Sequence, residues 1–294
     1  MYLPRFAQKV KIKELNLFRH IKPTVMLFIP QVATQIYTVL DKTMIGVIVL
    51  NKAEVGYYEQ AQKIVKLLMT IATSLGTVMM PRIASTFASG NHKKVREYMN
   101  KSFSFILLLA FPLMFEIISV SSSFVPLFYG EGYDKVVPLL CVISPIIILI
   151  GLSNVTGTQY LLPTKKQNQY TLSVVVGAIV NFILNLILIK HFGSIGASIA
   201  TVIAELAVTT TQFILIRKKI KFIDVVKLSY KYLIASLFMF MFSMIAGYFI
   251  SDNLISIIVQ VCISISVYFM ILLMLKDKLI LEGSKMIKKI LRRF

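Results

Sequence analysis

Eight apolar stretches, at 23–49, 57–81, 98–128, 136–162, 168–190, 194–216, 231–250 and 254–275, are each long enough to cross a bilayer. In hydrocarbon every backbone N–H and C=O must be satisfied within the chain, so segments of this length fold as membrane helices. The second stretch is not uniformly apolar. Between Tyr57 and Arg82, polar residues fall at Glu59, Lys63, Lys66, Thr70, Thr73 (with Ser74) and Thr77, in steps of three and four that keep one helical face polar. At the helical rise the stripe is about 27 Å long, close to the hydrocarbon thickness. Each charge facing lipid at mid-depth would cost about 2.5–3.5 kcal/mol. The stripe therefore reads as the wall of a wet interior, which points to transport.

The predicted fold class is all-α, a polytopic membrane helix bundle of about eight transmembrane helices. Hydrophobic residues make up 57% of the chain and mean hydropathy is +0.78, which excludes a soluble domain of this length. Gaps between stretches carry short polar or Gly/Pro signals such as Asn51-Lys52, Gly130-Glu131-Gly132, Pro163-Thr164 and Asp252-Asn253. The basic residues occupy alternate gaps. Twenty-six Lys and Arg fall on one set, which includes both termini, and only Lys52, Lys135 and Lys190 on the other. The positive-inside rule then places both termini in the cytoplasm, in agreement with an even number of spans. The net charge of +19 is thus spent on topology, and no soluble domain is left to carry a nucleic-acid surface.

Three regions follow. Residues 1–22 form a basic interfacial linker helix with Leu3, Phe6, Val10, Leu17 and Ile21 at near-helical steps. Residues 23–217 form a six-helix lobe with a polar interior. Residues 218–294 form a more lipid-like helix pair followed by a basic tail. No secretory signal is visible at the N-terminus. Cys141 and Cys262 lie inside apolar stretches and read as small buried hydrophobes rather than metal ligands or a disulfide.

Several helices carry polar residues at helical steps. Span one has Gln31, Gln35, Thr38 and Asp41-Lys42; span four has Asn154 and Thr158. Span five has Ser173, Asn181 and Asn185, and span six has Thr201, Glu205, Thr209 and Gln212. Glu116 is the only deep charge of span three. Each has a structural alternative. Asn181 and Asn185 serve equally to bond across a helix interface. Lys63 can snorkel or pair with Glu59 four residues earlier, and Asp41-Lys42 can be an interfacial pair. Lys66 lies deeper, and Glu205 sits near mid-membrane with no sequence-adjacent cation, so both read as functional. The three histidines lie far apart at membrane edges, and no nucleotide loop or metal signature is present, so no cofactor or metal is expected.

The run Pro23-Thr24-Val25-Met26-Leu27-Phe28-Ile29-Pro30-Gln31, continuing through Tyr37-Thr38-Val39-Leu40-Asp41-Lys42-Thr43-Met44-Ile45-Gly46, resembles the opening helix of the second lobe of bacterial polysaccharide repeat-unit flippases. Val55-Gly56-Tyr57-Tyr58, Gln62-Lys63-Ile64-Val65-Lys66 and Gly76-Thr77-Val78-Met79-Met80-Pro81-Arg82 are similar to that family's next helix. The resemblance implies the multidrug/oligosaccharidyl-lipid/polysaccharide exporter superfamily, whose members move lipid-linked oligosaccharides across the bacterial cytoplasmic membrane by alternating access. It covers the second lobe and the two extra helices, and implies that the first six-helix lobe is missing or supplied separately.

The expected function is therefore transport of a polyprenyl-diphosphate-linked oligosaccharide, not enzymatic catalysis. Lys42, Lys63 and Lys66 are the candidate diphosphate cations. Gln31, Gln35, Thr70, Asn154, Asn181 and Asn185 are the candidate cavity groups, and Asp41, Glu205 and Glu116 the coupling-ion candidates. Expected partners are the lipid-linked oligosaccharide, membrane lipids, a separate N-terminal lobe and other polysaccharide assembly proteins. The rival readings are a non-functional fragment or half-transporter, and a membrane glycan polymerase or acyltransferase. The polymerase or acyltransferase would need a large polar loop that the short basic gaps do not supply.

Overall fold

Short polar residues end one rod and start the next. The Asn51 side chain accepts from Ala53 N, Asn91 from Lys94 N and Asp252 from Ile255 N, each capping the first turn of a helix. The computed structural model describes residues 18–49 and 51–282, and these are helical with no strand among them. The helices are α1 (Phe18–Ile48), α2 (Lys52–Thr73), α3 (Leu75–Ala88), α4 (His92–Tyr129), α5 (Val136–Ile143) and α6 (Ile146–Ser153). A π-helical segment (Asn154–Leu161) follows, then α7 (Gln167–Ile216), α8 (Phe222–Tyr248) and α9 (Asn253–Met274). Residues 1–17 of the expected interfacial helix, and the basic tail from 283, lie outside the described residues; Phe18 to Lys22 run directly into α1.

Four of the expected spans are irregular. The second is broken at Ser74 into α2 and α3, bent by about 40°. Its own hydroxyls explain the break. Thr70, Thr73, Ser74 and Thr77 each donate back to a carbonyl three or four residues earlier, which loosens the helix, and Pro81 lies inside α3. The fourth is split between α5 and α6 at Ser144-Pro145. Pro145 has no N–H for the Cys141 carbonyl, and the Ser144 hydroxyl donates to that carbonyl instead at 3.2 Å. The fifth and sixth are joined in α7, whose 50 residues turn at Gly193 (φ 57°, ψ −134°). That backbone lies in territory that glycine enters most readily. The two arms then fold back on each other, and a Cβ at Gly177 in the first arm would collide with Val208 in the second.

Among the described residues, five helices are long and apolar enough to cross a membrane, or six if the bent α2–α3 pair is one span. α7 enters that count once, although each arm matches an expected span. The chain is a multi-pass membrane protein.

The apolar core lies between α2, α4, α5 and α6, where Tyr58, Phe103, Ile106, Leu107, Leu139, Leu140, Ile143 and Ile147 are fully buried. α8 and α9 pack on each other and on α4. That seam is polar: Ser243 donates to Ser119, Ser123 to Ser256 and the Tyr268 hydroxyl to the Leu108 carbonyl. Such interhelical bonds average about 0.6 kcal/mol in membranes, so the seam gives register more than strength. Outward-facing Phe238, Met241, Phe242, Ile258, Ile265 and Phe269 are exposed, as a lipid-facing belt requires. Cys262, expected to be buried, is exposed on α9.

Candidate functional site

A cavity of about 330 Å³ opens where α1, α2, α6, the π-helical segment and both arms of α7 converge. Gln35 comes from α1, Gln62, Lys66 and Met69 from α2, and Ser153, Asn154 and Thr158 from the junction of α6 with the π-helical segment. Tyr170, Thr201, Glu205 and Gln212 come from α7. The wall is held by hydrogen bonds between elements. Thr156 donates to Gln212, whose amide donates to Ser173 at 3.0 Å, and Thr209 reaches the Leu149 carbonyl at 3.0 Å. The π-helical segment packs closely: a Cβ at Gly76 would stand 2.6 Å from Asn154 Oδ1. One ammonium and one carboxylate in a cleft of amides and hydroxyls can hold an anion and sugar hydroxyls together.

Beside the cavity lies a buried carboxylate cluster. Asp41 is fully buried and accepts from the Tyr58 hydroxyl at 2.8 Å, Asn185 Nδ2 at 2.5 Å and the Thr201 hydroxyl at 3.1 Å. Asn185 Nδ2 also donates to Asn181 Oδ1, and Gln62 Nε2 donates to the Tyr58 hydroxyl. Within this cluster three buried amide atoms have no hydrogen-bond partner: Asn185 Oδ1, Gln62 Oε1 and Asn181 Nδ2. Thr201 and Gln62 belong to both cluster and cavity wall, so the two are contiguous.

Gln35, Lys66, Asn154 and Glu205 thus meet in one cavity, while Asp41, Asn181 and Asn185 sit together behind it. Lys42 and Lys63 do not line the cavity. They share Glu59, at 3.3 and 3.4 Å, on the outer face of α1 and α2. Thr70 is exposed and bonded to its own helix at Leu67. Apart from Lys66, the polar stripe of α2 and α3 is exposed or half-buried outside the cavity, beside exposed Leu67, Ile71 and Val78. Glu116 is remote, turned to Ser264 of α9 without hydrogen-bond geometry, its carboxylate oxygens buried. The side chain of Gln31 lies outside the described residues. Among the described residues no group of three or more His, Cys, Asp or Glu could hold a metal ion.

Sequence reasoning missed Tyr58 and Gln62, which stand four residues apart on the buried face of α2, in the same row as Glu54 and Lys66. It also missed the Glu54 carboxylate, which accepts from Lys135 of the α4–α5 turn and from both the backbone and the hydroxyl of Ser194, just past the α7 turn.

Residues 5–138 match the family model described as "Polysaccharide biosynthesis protein". The chain is 31% identical over 162 residues to the lipid II flippase MurJ of Bacillus subtilis (strain 168), covering 53% of this chain and 29% of that protein. Part of the chain is thus similar to polysaccharide biosynthesis proteins and to a lipid II flippase. Its fold matches the solved inward closed conformation of lipid II flippase MurJ with a TM-score of 0.75 and 22% identity, over 95% of this chain and 58% of that one. The outward-facing conformation of a multidrug resistance MATE family transporter of the MOP superfamily matches at 0.58 and 14% identity, over 84% of this chain and 63% of that one. The chain spans 29% of the Bacillus subtilis flippase and 58% of the solved one. They are transporters rather than enzymes.

Proposed function

We propose that this chain forms one half of the translocation pathway of a flippase that carries a polyprenyl-diphosphate-linked oligosaccharide across the bacterial cytoplasmic membrane by alternating access. The observation that carries this reading is Lys66 in the wall of a polar cavity within a bundle of membrane helices. An ammonium there holds the diphosphate, while Gln35, Asn154, Thr158 and Gln212 meet sugar hydroxyls and the lipid tail stays in the bilayer. At about 330 Å³ the cavity is at the small end of ligand pockets, so an oligosaccharide needs a second wall. The exposed polar residues of α2 and α3, Lys63, Thr70 and Thr77, support a second six-helix lobe facing them.

In this reading residues 23–217 are the transporter lobe and 218–294 the appended pair, consistent with α8 and α9 lying against α4, away from the cavity. Asp41 and Glu205 are the coupling groups. Around Asp41 two hydroxyls and an amide N–H all donate to the single carboxylate, a setting that suits coupling to a proton.

The test is export of the lipid-linked glycan by the assembled transporter. Lys66→Ala abolishes export at unchanged membrane abundance, and Lys66→Arg retains part, because charge outweighs shape for a ligand that must leave again. Glu205→Gln shifts the dependence on pH or sodium. Normal export by Lys66→Ala removes the diphosphate role.

A further inference from the structure

A second cavity, of about 500 Å³, lies at the opposite end of the π-helical segment from the polar cavity, on the face that the charge asymmetry assigns to the cytoplasm. Three loops far apart in sequence build it. Lys93 and Arg96 come from the start of α4, Lys166 from the start of α7, and Lys218 and Lys219 from the turn into α8. His92 completes the rim, and no carboxylate lines it. Val95, Met99, Tyr160 and Ile220 form a buried apolar floor. Lys165 adopts φ 62°, rare for a residue with a side chain, and this turn sets Lys166 with its ammonium 5.4 Å from the Tyr160 ring centre. Asp224, just outside, takes Arg96 at 3.0 Å and leaves the lysines.

Cations scattered by the positive-inside rule spread out to lower their mutual repulsion. Here five converge on one depression over an aromatic floor, and a bound anion offsets that repulsion. The neighbouring cleft shows the contrast: its lysines, Lys101, Lys227, Lys231 and Lys278, stand beside Asp277 and Glu282.

We propose that this cleft is a binding site for a multiply charged phosphate group, a diphosphate or phosphomonoester, held by Lys93, Lys166, Lys218 and Lys219 above Tyr160. The site is separate from the transport cavity and does not depend on the flippase reading. Thr158 lines the transport cavity while Tyr160 floors this cleft, so occupancy here bears on the segment that forms both walls.

The group can come from a soluble diphosphate or from an anionic lipid, and two arms separate these sources. Inorganic pyrophosphate is titrated calorimetrically into the full chain in neutral detergent. Separately, the chain is placed in nanodiscs of phosphatidylcholine with or without phosphatidic acid, and retained lipid is measured by mass spectrometry. Lys166→Ala with Lys219→Ala weakens binding by about tenfold or more in at least one arm, as loss of charge-assisted contacts requires. Lys101→Ala with Lys278→Ala, in the neighbouring cleft, leaves it unchanged. If the alanine pair does not fold, Lys166→Gln with Lys219→Gln is read in its place. Binding of pyrophosphate identifies a soluble source, and binding of phosphatidic acid alone a lipid headgroup. No binding in either arm, equal binding by the variant, or an equal loss in the control pair overturns the proposal.

Discussion

Asn185 donates to Asp41 at 2.5 Å across 144 residues of sequence, joining the first arm of α7 to α1. The same carboxylate takes hydroxyls from α2 and from the second arm of α7, so one side chain ties four rods together.

Asp41→Ala leaves the Tyr58 hydroxyl and Asn185 amide without their acceptor in a buried setting, at an expected cost of about 2–3 kcal/mol. Asp41→Asn keeps the shape and costs less, but removes the charge. The melting temperatures in detergent are expected in the order wild type, Asp41→Asn, Asp41→Ala. Export by Asp41→Asn loses its dependence on pH or sodium. A melting curve of Asp41→Ala that overlies wild type denies the cluster a structural role.

Glu54 clasps the turn of α7 to the first turn of α2. It accepts from the Ser194 backbone N–H, an orphan donor at the start of the second arm, and from Lys135. Glu54→Ala strands that N–H next to Gly193 and is expected to cost about 1–3 kcal/mol. Proteolysis at the 190–194 turn accelerates in this variant. Unchanged cleavage and melting show that the clasp contributes nothing.

Topology is tested by single cysteines in a background lacking Cys141 and Cys262. A cysteine at Asn91 or Lys166 is labelled only from the cytoplasmic side, and one at Gly132 or Asn253 only from outside. Reversed labelling at any two positions overturns the assignment of sides.

Glu116 has no cation beside it, and the Ser264 hydroxyl facing it is itself without a partner. A neutral amide can donate to that hydroxyl, so Glu116→Gln is expected to be neutral or stabilising, within about 1 kcal/mol. It leaves export unchanged if coupling rests on Asp41. Loss of export at normal stability restores Glu116 to the transport path.

The breaks between helices at Asn51 and Asp252 and the bias of charge were legible in the sequence because each is local: a few neighbouring residues fix the backbone there. The hydroxyls of α2 were legible as a stripe for the same reason, but their orientation was not. Helical periodicity says which residues share a face and leaves open what that face meets. Only packing turned Lys66 toward the cavity, set Lys42 and Lys63 on Glu59, and left Thr70 outside.

By itself the sequence determined a multi-pass helical bundle, its charge asymmetry and a short set of intramembrane polar groups, since hydrocarbon penalises each of these wherever it lies. The tertiary structure decided which of them meet. Asp41 finds Asn185 and Thr201 only because α7 turns back at Gly193, and Tyr58 joins them from the buried face of α2. Long-range pairing depends on the rotation of each rod about its own axis, and the summed packing of its neighbours sets that rotation.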